Sequence, residues 1–350
     1  MSDEDPKVLY KGLMEEVVDY DKSLKNILAI LKESKVINSL EDIDAFGHRI
    51  VHGGDEFSKP TLIDDNVISV IKDVSRFAPL HNMANLKGIL TILALSPSSK
   101  QVAIFDTSFH QTMPKKAFVY PIDYKLYEEN KIRRYGFHGT SHSYVAQQCS
   151  DYLNKPLDTL NLISVHLGNG ASVCAIKNGK SIDTSMGLTP LEGLMMGTRC
   201  GDIDPAIVFY LENELNFTIP EVEDILNKKS GLLGVSGKSS DLREVIDFAK
   251  NGDEQSALAL DIFAYRVKKY IGSYKFILDD VDAIIFTGGI GENSRDMRSM
   301  IMGNKIDNLK NNQKLDKLQE IQAKEFETKV LVIQTNEELE IANLTYKLII

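Results

Sequence analysis

No stretch of this sequence stays apolar for the roughly 18 residues that a membrane-spanning helix needs. The opening residues, MSDEDPKVLY, are acidic and have neither the basic nor the apolar region of a signal peptide. A basic excess is missing too: 40 Lys and Arg stand against 50 Asp and Glu, a net charge of −10. That balance argues against general binding to nucleic acid or to anionic membranes, both of which need a positive surface. Cysteine is scarce. Cys149, Cys174 and Cys200 have no metal-ligand spacing and cannot all pair, so reduced cytoplasmic thiols are the expectation. Tryptophan is absent, which excludes nothing. No internal repeat or low-complexity tract appears. What remains is a chain of 350 residues, 43% hydrophobic and 26% charged, the composition of a globular protein long enough for two domains.

The densest signal is the stretch LISVHLGNGASVCAIKNGKSID, residues 162–183. An apolar run suited to a buried strand meets the turn His166-Leu167-Gly168-Asn169-Gly170. Residues 171–177 and 180–184 then flank Asn178-Gly179, a pair that predicts a two-residue hairpin because both turn positions need positive φ. Glycines after a strand let a backbone approach a ligand and aim N–H groups at an anion. An ordinary tight turn reads equally well from this stretch alone.

Strands alternate with helices elsewhere, which predicts an α/β class. Residues 19–34 carry Leu24, Ile27, Leu28 and Leu31 on one helical face. Residues 43–51 read as a strand ending in HGG, with His48 and Arg49 inside it. An arginine there requires either an anionic partner or an exposed edge. A helix over 79–95 has Asn82 or Asn85 as candidate caps. A short strand, 101–105, runs into Asp106, a carboxylate placed either for a ligand or as a turn cap. RRYGFHGTSH, residues 133–142, reads as a polar loop with a helix starting near 141–143. His138 and His142 have i, i+4 spacing, but Gly139 between them weakens a helix and no third ligand is near, so a metal pair is not expected. All seven histidines lie between His48 and His166, which predicts a polar cleft built mostly by the first half.

The second half opens with a long glycine-bearing loop, 184–205. It carries Arg199 beside Asp202 and Asp204, whose alternative role is a local ion pair. Helices are expected over 206–215, 221–228 and 239–249, the last with Asp241 near its start. A long one-sided helix follows, marked by Leu260, Phe263, Ala264, Val267, Tyr270, Ile271 and Tyr274. The strand 282–286 runs into TGGIGENS, with a helix start expected at Asn293 or Ser294; strand, glycines and helix start together form an anion site. Residues 303–329 read as helical or surface-looped. A last strand, 329–333, leads to Thr335-Asn336 and a helix over 337–348, where Glu337 suits the first turn.

Taken together, GHRIVHGG, APLHNMANLKGI, FDTSFHQTMP, RRYGFHGTSH, HLGNGAS, DTSMGLTPLEGLMMGTRCGDIDP, SGLLGVSGKSSDLR, FTGGIGENS and TNEELEIA resemble the acetate kinase family over residues 43–350. The resemblance implies the duplicated RNase H-like fold of the acetate and sugar kinase/actin superfamily, with nucleotide held in the cleft between two domains. It places the domains at 1–107 with 338–350, and at 108–337. It implies reversible phosphoryl transfer between ATP and acetate, giving ADP and acetyl phosphate. Arg49 and Arg199 would bind the carboxylate and the moving phosphoryl group. Asp106 would be the catalytic carboxylate, and His138 would stabilise the transition state together with Arg199. His166, Leu167, Gly168, Asn169 and Gly170 would cradle nucleotide phosphates. Asp241, Leu242, Arg243, Gly289, Ile290, Gly291, Glu292 and Asn293 would hold adenosine and its phosphates. Glu337 would coordinate Mg2+, with Mn2+ as a substitute. A cytoplasmic homodimer is implied.

One family feature is not found. The N-terminal strand and its Asn-x-Gly-Ser-Ser-Ser-x-Lys loop have no counterpart, and Lys11-Gly12-Leu13 resembles sequence that follows them. The first domain is therefore expected to be incomplete. Three readings follow: an active protein whose start lies upstream, a short non-catalytic nucleotide-binding or dimerising form, or a hairpin supplied by another chain. A propionate kinase is the alternative within the family, since one methylene changes discrimination by only about 1–3 kcal/mol.

Overall fold

A computed structural model describes residues 6–12, 14 and 19–350; Leu13 of the Lys11-Gly12-Leu13 match lies outside them. The chain forms two compact units, Met1–Phe105 with Ile341–Ile350, and Asp106–Glu340.

In the first unit, α1 (Tyr20–Glu33) starts where Asp19 accepts the Lys22 N–H at 3.1 Å. Strands β1 (Ala45–Ile50) and β2 (Thr61–Leu62) precede α2 (Asp65–Val74), α3 (Pro79–Leu95) and β3 (Lys100–Phe105). The sheet order is β1-β3-β2, with β1 parallel to β3 and β2 antiparallel. Its core joins Ile50, Val67, Ile71, Leu86, Ile89, Ala103 and Phe105, with Phe57 stacked on Phe105 at 4.6 Å. The expected asparagine caps of α3 are a misreading. The helix starts at Pro79, whose missing N–H costs nothing at that position. Asn82 and Asn85 lie inside the helix and serve the loop after β1 instead. Asn82 exchanges two hydrogen bonds with the His52 backbone (3.0 and 2.9 Å), and Asn85 accepts the Val51 N–H at 3.1 Å. Buried backbone groups of a turn need partners, and these side chains supply them.

In the second unit the sheet order is β6-β5-β4-β7-β9-β8. Helix α4 (Gly139–Leu153) leads into the meander β4 (Asn161–Leu167), β5 (Ala171–Lys177) and β6 (Lys180–Thr184). The β5–β6 hairpin has the predicted boundaries, and Asn178 and Gly179 take φ of 52° and 73°. Helices α5 (Ala206–Asn213), α6 (Leu242–Lys250) and α7 (Glu254–Leu278) follow, then β7 (Ala283–Thr287), α8 (Gly288–Asn293) and α9 (Arg295–Met302). The one-sided pattern of α7 is as expected: Leu260, Phe263, Ala264, Val267, Ile271 and Tyr274 are buried. Strands β8 (Leu318–Glu320) and β9 (Lys329–Ile333) close the sheet, and α10 (Glu337–Ile349) ends the chain. Leu318–Glu320 was expected as helix or loop. A three-residue edge strand has too few positions to show alternation, and its pairing with β9 defines it. Strands β4, β7 and β9 are parallel and central, and α4 packs Val145, Ala146 and Cys149 against Leu162, Ile285 and Leu331. The three cysteines are unpaired. Among the described residues no helix is long and apolar enough to cross a membrane.

Candidate active site

The three parallel strands stop nearly level: His166 of β4 lies opposite Thr287 of β7, and Phe286 opposite Val332 of β9. The chain leaves their C-terminal ends through Gly168–Gly170, through α8, and through Thr335–Glu337. Open α/β sheets bind ligands at that edge.

A groove of about 890 Å³ opens there. Its walls are Gly168 and Asn169 after β4, Ser240–Arg243 with Ile246 and Asp247 at the start of α6, and Gly289, Ile290 and Asn293–Asp296 around α8. Eight of the candidate nucleotide residues thus meet in one space: Gly168, Asn169, Asp241, Leu242, Arg243, Gly289, Ile290 and Asn293. Asp241 caps α6 by accepting the Arg243 N–H at 2.8 Å, and its carboxylate also takes the Arg243 guanidinium. Those bonds hold its pKa below the usual carboxylate value. No histidine lines the groove, whose walls run from residue 168 to residue 296. The histidines gather elsewhere in this unit, where His110, His138, His142 and His166 lie ring to ring.

Beyond the glycine turn after β7 the expected helix start at Ser294 is present, with one short helix before it. A helix begins at once, at Gly288, and Ser294 caps the next one, accepting the Met297 N–H at 3.3 Å. The start of α8 already holds an anion from its own chain. Glu292 Oε1 accepts the N–H groups of Gly288 and Thr335, both at 3.0 Å, and lies 3.4 Å from the Thr287 hydroxyl. Glu292 thus ties the loop after β7 to the loop after β9. At the other end Arg298, 2% exposed, donates to the Gly291 and Glu292 carbonyls at 2.8 and 2.9 Å. Burial lowers its pKa to about 10. Gly291 and Glu292 are held from behind rather than lining the groove.

A second cluster lies beside Asn169. Asp106, 1% exposed, directly follows β3, and its carbonyl accepts the Gly139 N–H at 2.9 Å. Helix α4 starts at Gly139, earlier than the expected 141–143, because His138 takes a left-handed φ of 57° and ends the preceding loop. The His138 ring stacks on His166 with centroids 4.3 Å apart. A β-carbon placed on Gly170 would lie 3.3 Å from His138 Nε2 and 3.5 Å from Arg199 Nη1, so ring and guanidinium face one small space. His166 is buried and bonds Ser141 at 2.8 Å; Ser141 reaches the Thr335 hydroxyl at 2.9 Å, two residues before Glu337. Leu167 is fully buried in the sheet. Asn336 caps α10 as expected, accepting the Leu339 N–H at 3.1 Å.

Arg199 does not make the local ion pair that its sequence neighbours offered. Asp202 is taken by the Gly193 N–H (2.8 Å) and the Tyr270 hydroxyl (2.6 Å), and Asp204 by the Ala206 N–H (2.9 Å). Arg199 Nη1 donates to the Pro190 carbonyl at 3.3 Å and lies 3.7 Å from Met196 Sδ. Burial alone pulls its pKa below the usual arginine value. The loop that carries it is locked by residues the sequence reading did not single out. Arg134 pairs with Glu192 at 2.5 Å and donates to the carbonyls of Thr184, Ser185 and Met186, while Tyr120 hydrogen-bonds the same carboxylate. The only trace of this in sequence is the position of Arg134 within RRYGFHGTSH.

Both ring nitrogens of His142 are engaged by hydroxyls, Ser164 and Ser172, at 2.8 Å each. Burial drives its pKa well below the usual histidine value, and that of buried His110 to about 4. Among the described residues no group of three or more His, Cys, Asp or Glu is arranged to hold a metal. Arg49 belongs to the first unit and is exposed on β1, one of the two outer strands of its sheet.

The Acetokinase family pattern matches residues 10–343. The acetate kinase of Halothermothrix orenii is 53% identical over 342 residues, 95% of this chain and 86% of that protein. The crystal structure of Porphyromonas gingivalis acetate kinase superposes with a TM-score of 0.90 at 43% identity, covering 95% of this chain and 85% of that one. A propionate kinase from Francisella tularensis superposes with a TM-score of 0.88 at 45% identity, covering 93% and 84%. With the family pattern running through nearly all of the chain, and half of its residues shared with a relative along that length, the chain belongs to the acetokinase family.

Proposed function

We propose that this chain moves the γ-phosphoryl group of ATP to the carboxylate of acetate, and back, by direct in-line displacement. A carboxylate oxygen forms the new bond to phosphorus as the bond to the ADP oxygen breaks. The observation that carries the reading is the convergence of His138 Nε2 and Arg199 Nη1 on one space at Gly170, next to a groove whose wall includes Asn169. Phosphoryl transfer asks a protein for positioning and charge neutralisation rather than covalent help. The groove suits a nucleotide in size and in its exposed backbone. Arg199 supplies a planar donor fork for the transferring group. His138 donates beside it, Asp106 helps place substrate, and Arg49 takes the acetate carboxylate, as the sequence resemblance implies.

Mg2+, or Mn2+ in its place, belongs to the same reading. Its support is the donor set. The first turn of α10 carries Glu337, Glu338 and Glu340, and Glu337, half-buried at its start, suits an ion that takes one or two carboxylates and completes its shell with phosphate oxygens and water. When bound, it neutralises phosphate charge.

The test is a hydroxamate assay for acyl phosphate with MgATP and either acetate or propionate. Hydroxamate with acetate, at a kcat/KM above that for propionate, is expected. No product with either acid refutes the reading. A preference for propionate, favoured by the likeness to the Francisella tularensis enzyme, would shift it by the 10–200-fold that one methylene allows.

We infer further that two copies associate. What supports the inference is apolar surface: Phe209 and Tyr210 on α5, and Tyr265 and Phe276 on α7, are 59–87% exposed. Sedimentation equilibrium should report twice 39.1 kDa; a 39.1 kDa species at micromolar concentration would reject it.

A further inference from the structure

Behind the space shared by His138 and Arg199 runs a chain of alternating hydroxyls and imidazoles. Ser172, fully buried near the start of β5, places Oγ 2.9 Å from His138 Nδ1 and 2.8 Å from His142 Nε2. His142 is itself fully buried, and its Nδ1 lies 2.8 Å from Ser164 Oγ. A serine hydroxyl has one hydrogen to give and two lone pairs to receive with. His142 is packed edge-on to His110 and His166, at 5.7 and 6.3 Å, and burial keeps it neutral, so one of its nitrogens carries hydrogen and the other does not.

Two arrangements satisfy every member. In the first, Ser164 donates to His142 Nδ1, His142 Nε2–H donates to Ser172, and Ser172 donates to His138 Nδ1. His138 then carries its proton on Nε2, the nitrogen that faces Arg199. In the second, every donor is reversed, and His138 Nε2 presents a bare lone pair or a second proton. An anion beside Arg199 repels the lone pair. A second proton would place a cation 4.3 Å from the stacked His166 ring, inside a largely buried cluster. The first arrangement is the one an anionic phosphoryl group selects.

We propose that Ser172 is a positioning residue for phosphoryl transfer: seated on His142, its hydroxyl donates to His138 Nδ1 and so holds the single imidazole proton on Nε2, aimed at the transferring group. The kinetic arm of the test rests on the phosphoryl-transfer reading; the spectroscopic arm does not.

The first measurement is a double-mutant cycle. Ser172→Ala should lower kcat by about 10- to 100-fold, short of the roughly 10²–10⁴-fold that a proton donor itself contributes, with both KM values within about threefold. In a His138→Ala background the same change should cost less than about twofold, because a relay has nothing left to orient. Ser172→Thr, which keeps the hydroxyl, should retain more activity than Ser172→Ala. Equal losses in both backgrounds, or unchanged kcat in Ser172→Ala, would overturn the proposal. The second measurement needs no variant that might fail to fold. Nitrogen-15 spectra of the histidine rings, with Mg2+ and a non-hydrolysable ATP analogue bound, should show His138 protonated at Nε2 and bare at Nδ1. A protonated Nδ1 in that complex overturns it. Failure of the wild-type chain to form any acyl phosphate would instead count against the phosphoryl-transfer reading.

Discussion

Arg199→Ala is expected to reduce acyl phosphate formation by on the order of 10²-fold or more, the scale seen when a preorganised charge-stabilising donor is removed. The loss should fall on kcat rather than on folding. Arg199 is half-buried, forms no ion pair among the described residues, and gives its few hydrogen bonds to one carbonyl and one thioether. A cation partly withdrawn from water and left without a protein counter-ion attracts an anion of the substrate. Alanine removes that cation without leaving a buried carboxylate unpaired, so the melting temperature should change little. Arg199→Lys should recover only part of the rate, because an ammonium restores charge but not the planar fork. Arg49→Ala should reduce turnover on the same scale by the same principle, with stability within about 0.5 kcal/mol because the residue is exposed. Initial rates in the hydroxamate assay, set beside thermal unfolding of each variant, decide the matter. Near-normal turnover in both alanine variants would remove the assignment of these arginines.

The second large effect is expected from a single methyl group. Gly139→Ala would place a β-carbon 2.3 Å from the Asp106 carbonyl oxygen and 3.0 Å from Phe109 Cβ. Backbone cannot step aside as the end of a long side chain can, so either the start of α4 or Asp106 must move. Either shift breaks the hydrogen bond from the Gly139 N–H to that carbonyl and displaces His138, the residue before it. A displacement of about 1 Å at reacting groups costs up to about 10²-fold in rate, and overpacking of this kind costs typically about 1–3 kcal/mol in stability. Gly272 of α7 is the control. Its β position meets nothing within 4 Å and it is exposed in a helix, where alanine stabilises by about 1 kcal/mol. Gly272→Ala should keep full activity and melt higher. Gly139→Ala with normal kcat would show that the contact between Asp106 and α4 does not set the geometry of His138.

Some features were legible because they are local. The Asn178-Gly179 turn needs two positive φ angles that few residue pairs accept, so the hairpin was readable to the residue. The apolar runs of β4, β7 and β9, and the one-sided pattern of α7, follow from burial imposed at a fixed period. The same logic failed where a side chain serves a distant segment. Asn82 and Asn85 look like caps, because asparagine at a helix start satisfies nearby N–H groups. Here those groups belong to residues 51 and 52, thirty or more positions away. Glu292 looks like part of a phosphate loop, yet its carboxylate closes the start of its own helix onto Thr335.

Sequence by itself determined the α/β class, the family, the hairpin, and the strand-to-loop junctions where chemistry is placed. Tertiary structure alone decided that Asn169, Asp241 and Asn293 share one groove, that Arg134 and Glu192 lock the loop bearing Arg199, and that Ser172 joins His138 to His142. The reason is range. Backbone preference and hydrophobic period are written in a few adjacent residues, whereas which loops meet depends on the order β5-β4-β7-β9 in which the strands assemble, and no local pattern records that order.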